Sequence, residues 1–228
     1  MRGSILFGAL AALVLSSAAH SETITILAPT VLAPPSGTVV TFDESGVPLV
    51  TYGLTTPSGS FTEDGVSFSG SGIVMNNFGG DSEGIYAQPF GDPTNYMAVL
   101  GGDSETISYS QLDSEFGLYW GSVDTYNSLE FYDGTTLVAT VTGGEVAPLL
   151  ADGGQGSYAS NGYVFISGLP AFNSVVVSSS QNSFEFDNVT AGVPELTTWA
   201  MMLLGFAGLG FVGYRGTKKN TAAVATAR

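Results

Sequence analysis

From Glu22 to Val193 the side chains able to do chemistry are nineteen Asp and Glu, the tyrosines, and the Ser and Thr hydroxyls; this stretch holds no Lys, Arg, His or Cys. Ser-His and Cys-His nucleophile pairs are therefore excluded. So are zinc sites of the usual nitrogen and sulfur kind, and phosphate clamps or Schiff bases built on Lys and Arg. Carboxylates alone can still do two things. A pair can hydrolyse a glycosidic bond, although with nineteen acids some pair reaches a workable separation by chance. They can also hold calcium, which takes six to eight hard oxygen ligands and needs no nitrogen. The candidates for calcium are Asp43 and Glu44, near the start, and Asp187, near the end. Phe184 and Phe186 alternate along a strand-like run, so Asp187 points the other way, beside Glu185. The alternative is that these acids are simply solvated. Trp120 and Tyr126 could stack on sugar rings; the alternative is that they are core, because Phe116–Trp120 is apolar on both faces. No residue is assigned a catalytic role.

Short apolar or alternating runs separated by Gly, Asn, Asp and Pro must position these groups. They fall at 23–28, 47–52, 65–74, 106–111, 116–120, 128–132, 136–142, 162–167, 174–179 and 183–189. Asp133-Gly134 between two such runs predicts a hairpin, because Gly accepts the positive φ of the tight turn. Charged residues make up only 11% of the chain and helical periodicity is weak, so the expected fold is all-β. An antiparallel sandwich is expected, with a jelly-roll course favoured over an immunoglobulin one by the long first half and the closing strand pairs. Jelly-roll carbohydrate-binding modules often hold a structural calcium between an early and the last strand, which is where Asp43, Glu44 and Asp187 stand. Residues 76–104 read as an extended loop over one end.

The two ends differ in character. Residues 1–21 read as a signal peptide: Arg2, an apolar Ile5–Leu15, then Ser16-Ser17-Ala18-Ala19 for cleavage. An ordinary N-terminal helix is the alternative. Trp199–Tyr214 carries no charge and is followed by Arg215, Lys218 and Lys219. With Thr197 and Thr198 it reaches the roughly 17 residues that a spanning helix needs. Positive charge after it predicts a cytoplasmic tail, 217–228. The segment 22–191 is the ectodomain. All five basic residues lie outside it, and the net charge of −15 disfavours nucleic acid as a partner and favours cations.

The run Val193-Pro194-Glu195-Leu196-Thr197-Thr198-Trp199-Ala200, the glycine-rich apolar span and Arg215 together resemble the PEP-CTERM sorting signal, in its variant with Trp-Ala after the motif. Pro194, Glu195, Trp199 and Ala200 match; Leu196 stands where the usual third motif residue is Pro. The resemblance covers about residues 192–216. It implies a Gram-negative host, export through the inner membrane and cleavage by an exosortase, a membrane protease that sends the ectodomain to the surface, commonly among exopolysaccharide and biofilm matrix. Phe116–Asn127 and Ser179–Val189 are also similar to segments of a family of exosortase-dependent surface proteins, which carries no established biochemical activity.

The expectation is a non-enzymatic surface or matrix protein. A calcium-dependent carbohydrate-binding module is the second reading, and a carboxylate-pair glycosidase the third.

Overall fold

The computed structural model describes residues 22–28, 30–34, 38–51, 53–76 and 84–191. The expected signal peptide, the expected sorting residues Pro194, Glu195, Trp199, Ala200 and Arg215, the expected spanning segment and the basic tail lie outside them.

The described part is all-β, with one 3₁₀ turn at Gly143–Glu145. In chain order the strands are β1 Thr23–Ile26, β2 Thr38–Val40, β3 Leu49–Val50, β4 Phe61–Glu63, β5 Val66–Gly70, β6 Ile73–Met75, β7 Tyr96–Val99, β8 Ser104–Gly121, β9 Asn127–Asp133, β10 Thr136–Thr142, β11 Gly162–Ser179, β12 Phe184–Asp187 and β13 Val189–Ala191. Among the described residues no helix is long and apolar enough to cross a membrane.

Two long strands organise the rest. β8 and β11 pair antiparallel over almost their whole length, from Gly162↔Trp120 to Ser178↔Ser104, with register shifts around Phe172. The N-terminal half of β8 also pairs with β5 (Phe68↔Ile107), and its C-terminal half with β12 (Phe186↔Trp120). One strand thus serves two partners along its length, and the sheet folds over into a sandwich-like body. Along β9 and the C-terminal part of β11 inward and outward residues alternate, and the inward Phe131, Phe172, Val175 and Val177 join Phe116, Leu118 and Trp120 of β8, Ile166 of β11 and Phe184 and Phe186 of β12 in one core. Edge-to-face aromatic contacts tie its parts together, Phe131 to Phe116 at 5.5 Å and to Phe172 at 5.0 Å.

The hairpin at Asp133-Gly134 is present: β9 and β10 meet at Thr136↔Asp133, and Gly134 adopts φ +59°. Elsewhere the boundaries differ from the sequence expectation. The runs 106–111 and 116–120 are one strand, as are 162–167 and 174–179, because the pairing of the two long strands resumes on either side of the irregular stretch around Asp113 and Phe172. The run 65–74 is instead two strands, parted at Ser71-Gly72. The sheet is antiparallel except for β3 and β6, which pair parallel over two residues.

The expected loop at 76–104 needs the largest correction. It contains β7, whose four residues are all buried and therefore show no alternation. Before β7, residues 84–95 lie across the outer face of β8 and β12. Pro89 packs so closely on Gly121 that a Cβ there would stand 2.8 Å from it. The Tyr119 hydroxyl donates to Phe90 O at 2.6 Å. This covering layer is why Glu185 and Asp187 are buried even though they face away from Phe184 and Phe186.

Candidate functional site

Four loop segments, around residues 84–86, 122–126, 152–155 and 182–183, and Glu185 of β12 line a polar pocket of about 220 Å³ at one end of the sandwich. β8 stops at Gly121, and the next residues carry the chain to β9. Ser122 takes φ +45°, held by its N–H to Asn161 Oδ1 at 2.8 Å. The turn Ser122–Asn127 is pinned from below by Asn127, which is 1% exposed. Its Oδ1 accepts from Asp124 N at 2.9 Å, and its Nδ2 donates to Ser179 Oγ at 2.9 Å and to Ser183 O at 3.1 Å. One amide thus joins the β8–β9 turn to the β11–β12 turn. Tyr126 closes the same side by donating its hydroxyl to Asn182 O at 2.9 Å.

The facing wall is the loop between β10 and β11. Asp152 bridges Asp124 through the backbone, and Gly153 N donates to Val123 O at 2.9 Å. Gly153 has φ +68°, and a Cβ there would stand 2.8 Å from Asp124 Oδ2, so a glycine is needed both for the turn and for the carboxylate. The floor is Glu185 of β12. Its Oε1 accepts from Ala87 N at 2.9 Å and from the Ser183 hydroxyl. Its Oε2 has no hydrogen-bond partner although the residue is 2% exposed, and the buried Ser122 Oγ lacks one too. Both residues line the pocket.

The three carboxyls around this pocket are unlike one another. Burial pushes Glu185 up to about 7, with the charge of Asp124 adding to the shift. Asp124 is also raised, first by burial, while the Tyr126 hydroxyl partly offsets this and the charge of Asp152 adds to it. Asp152 is lowered, chiefly because the Ser160 hydroxyl donates to its Oδ1 at 2.6 Å. The arrangement offers a row of acceptors, one of them orphaned, to anything that brings hydrogen-bond donors.

Tyr126 is the one sequence-derived ligand candidate at this pocket. Trp120 is corrected: its ring is wholly buried, stacked on Phe184 with centroids 4.3 Å apart, and offers no face to a ligand. The acids singled out for calcium are dispersed. Asp43 and Glu44 are exposed, and Asp43 Oδ1 accepts from Asn95 N at 3.2 Å. Asp187 is fully buried and meets Asp92, which is 3% exposed. Thr94 Oγ1 donates to Asp187 Oδ2 at 2.9 Å, and Asn188 Nδ2 to Asp92 Oδ2 at 2.7 Å. Burial, then the charge of Asp92, holds the Asp187 carboxyl well above its ordinary value. Among the described residues no three His, Cys, Asp or Glu side chains converge to hold a metal ion.

Ser122, Asp124, Asp152 and Glu185 were not legible as a site. They come from three separate places in the chain, and the local signals are turn residues such as Asp152-Gly153-Gly154. Comparison with protein-family models, with curated proteins and with solved structures found no match.

Proposed function

We propose that this is an exported surface or extracellular-matrix protein that binds and does not catalyse, with the end pocket as its contact with exopolysaccharide. The observation that carries the reading is a pocket lined by hydrogen-bond acceptors, with an orphaned carboxylate oxygen, in a body that has no basic, imidazole or thiol group. Sugars present rings of hydroxyl donors, and such a lining suits them. The strand course is read as jelly-roll-like. Outside the described residues, the N-terminal signal peptide and the PEP-CTERM-like end support export, a single inner-membrane span in the precursor, and processing by an exosortase of a Gram-negative host.

A calcium-supported form of the same function is the second reading. It is favoured by the buried Asp92–Asp187 pair, for which the body has no Lys or Arg to balance the charge. The exposed Asp43 accepts from Asn95 N, in the same 92–95 connection, at 3.2 Å.

The test is retention of the full chain, in mild detergent, on the host's own exopolysaccharide, first with calcium and then with a chelator. Retention in both conditions supports the pocket as the contact. Retention lost on chelation moves the function to the calcium-supported form. No retention sinks the glycan reading, and release of reducing ends from the polymer would replace binding with glycosidase chemistry.

A further inference from the structure

We propose that the pocket bounded by Ser122, Asp124, Tyr126, Asp152 and Glu185 takes a protonated amine carried on a hydroxylated ring, which is the chemistry of an amino sugar. This rests on the glycan-contact reading and names the kind of glycan.

Charge decides between a neutral and a cationic sugar. Three carboxyl groups border a pocket of about 220 Å³, with the charge of Asp152 acting on Asp124 and that of Asp124 on Glu185. The ectodomain supplies no Lys, Arg or His to balance them. An anion with no counter-charge in a partly desolvated pocket is costly, and it neutralises itself by taking a proton or by capturing a cation. A neutral hexose brings donors without charge and leaves that cost in place.

The distribution of partners then argues for a cation of several atoms. Glu185 has committed Oε1 to Ala87 N and the Ser183 hydroxyl, which leaves Oε2 bare on the floor. Asp152 has committed Oδ1 to Ser160 Oγ and Gly154 N. Ser122 Oγ stands unpartnered beside them and can accept or donate. An ammonium group has three donors, and the ring hydroxyls next to it supply more. Together they can reach the floor and the wall at once. Tyr126 adds an aromatic wall, on which either a cation or the apolar face of a sugar ring can rest. The volume lies below the roughly 300 Å³ at which drug-sized sites begin, so it suits one ring and not an extended chain.

Isothermal titration of the full chain in mild detergent with glucosamine, N-acetylglucosamine, glucose and calcium chloride tests this. The expected result is heat from glucosamine, with affinity at least tenfold tighter than for N-acetylglucosamine or glucose. Asp124→Asn should weaken glucosamine at least fivefold. Glu185→Gln should do the same while keeping the bonds to Ala87 N and the Ser183 hydroxyl, because it turns a donor into the pocket. Glu115→Gln, on the exposed side of β8, should change nothing. Equal binding of glucose and glucosamine overturns the charge argument. Calcium binding that is lost in Asp124→Asn, with no glucosamine binding, overturns it in favour of a metal ion. No binding by any probe overturns the site. Retention on exopolysaccharide without glucosamine binding removes this inference alone, and glucosamine binding without retention removes the matrix role alone.

Discussion

A carboxyl buried without a cation stays protonated until the pH forces its proton off, and Glu63, Glu105 and Glu185 are all in that position, each pushed up to about 7 mainly by burial. Their ordinary value is 4.5. Between 4.5 and 7 the unfolded chain has therefore released protons that the folded chain still holds, so stability falls as the pH rises through this window and levels off above it. Each group contributes up to about 1.4 kcal/mol per pH unit, so the melting temperature at pH 5 should exceed that at pH 8 by more than about 5 °C. Asp152 acts in the opposite sense: its contribution is lost only as the pH drops below its ordinary 3.8. A thermal melt series from pH 4.5 to 8 checks the sign, and a rising or flat profile would contradict it. Glu105→Gln should keep the bond from Gly72 N, made at 2.8 Å, and flatten the profile. The same ionisation bears on the pocket. The titratable groups facing Glu185 there are Asp124 and Tyr126, with Asp152 beyond. Glucosamine affinity should rise as Glu185 ionises on approach to pH 7 and fall again at higher pH, where the ammonium, acidified by its neighbouring hydroxyls towards the range of an α-amino group, loses its own proton.

The pocket depends on elements that meet only in the folded chain, and each can be loosened separately. Gly153→Ala sets a Cβ against the Asp124 carboxylate at a positive φ; it should cost about 1–3 kcal/mol and weaken ligand binding with it. Gly121→Ala drives a Cβ into Pro89, which should lift the 84–95 cover and expose it to limited proteolysis at a cost of about 1–3 kcal/mol. Phe184→Ala removes the partner stacked on Trp120 and should cost about 3–5 kcal/mol, read as a lower denaturant midpoint. Much of the fold was legible at this scale. The Asp133-Gly134 turn and the alternation in β9 are local signals, and the sequence carries them openly. β7 was not legible because it is buried on both faces, and β2 and β4 are only three residues long. The direction of Asp187 away from Phe186 could be read from alternation; the layer that buries it could not, since 84–95 returns from a hundred residues away. The aromatic run Phe116–Trp120 showed its apolar character on both faces, and the fully buried Trp120 follows from it.

For the molecule as a whole, charge separation is the dominant feature. The acidic body carries nineteen acids and no base, and the basic residues sit at the two ends. Such a body suits a surface where cations and cationic polymers collect. The sorting reading makes its own prediction: Pro194→Ala, Glu195→Ala or Trp199→Ala should leave uncleaved precursor in the inner membrane, seen as a heavier band in that fraction. Normal release of all three would remove the exosortase from the account. Site residues drawn from three distant parts of the chain are invisible to a single sequence, whereas the sorting proposal rests on contiguous residues and on the sequence alone.

Display of the folded body outside the cell would leave it open to an added protease. Its most direct measurement is protease treatment of intact host cells and their matrix, followed by detection of the β9–β10 hairpin with a specific antibody. The signal should disappear while a cytoplasmic marker survives. A signal that persists until the cells are lysed would contradict it.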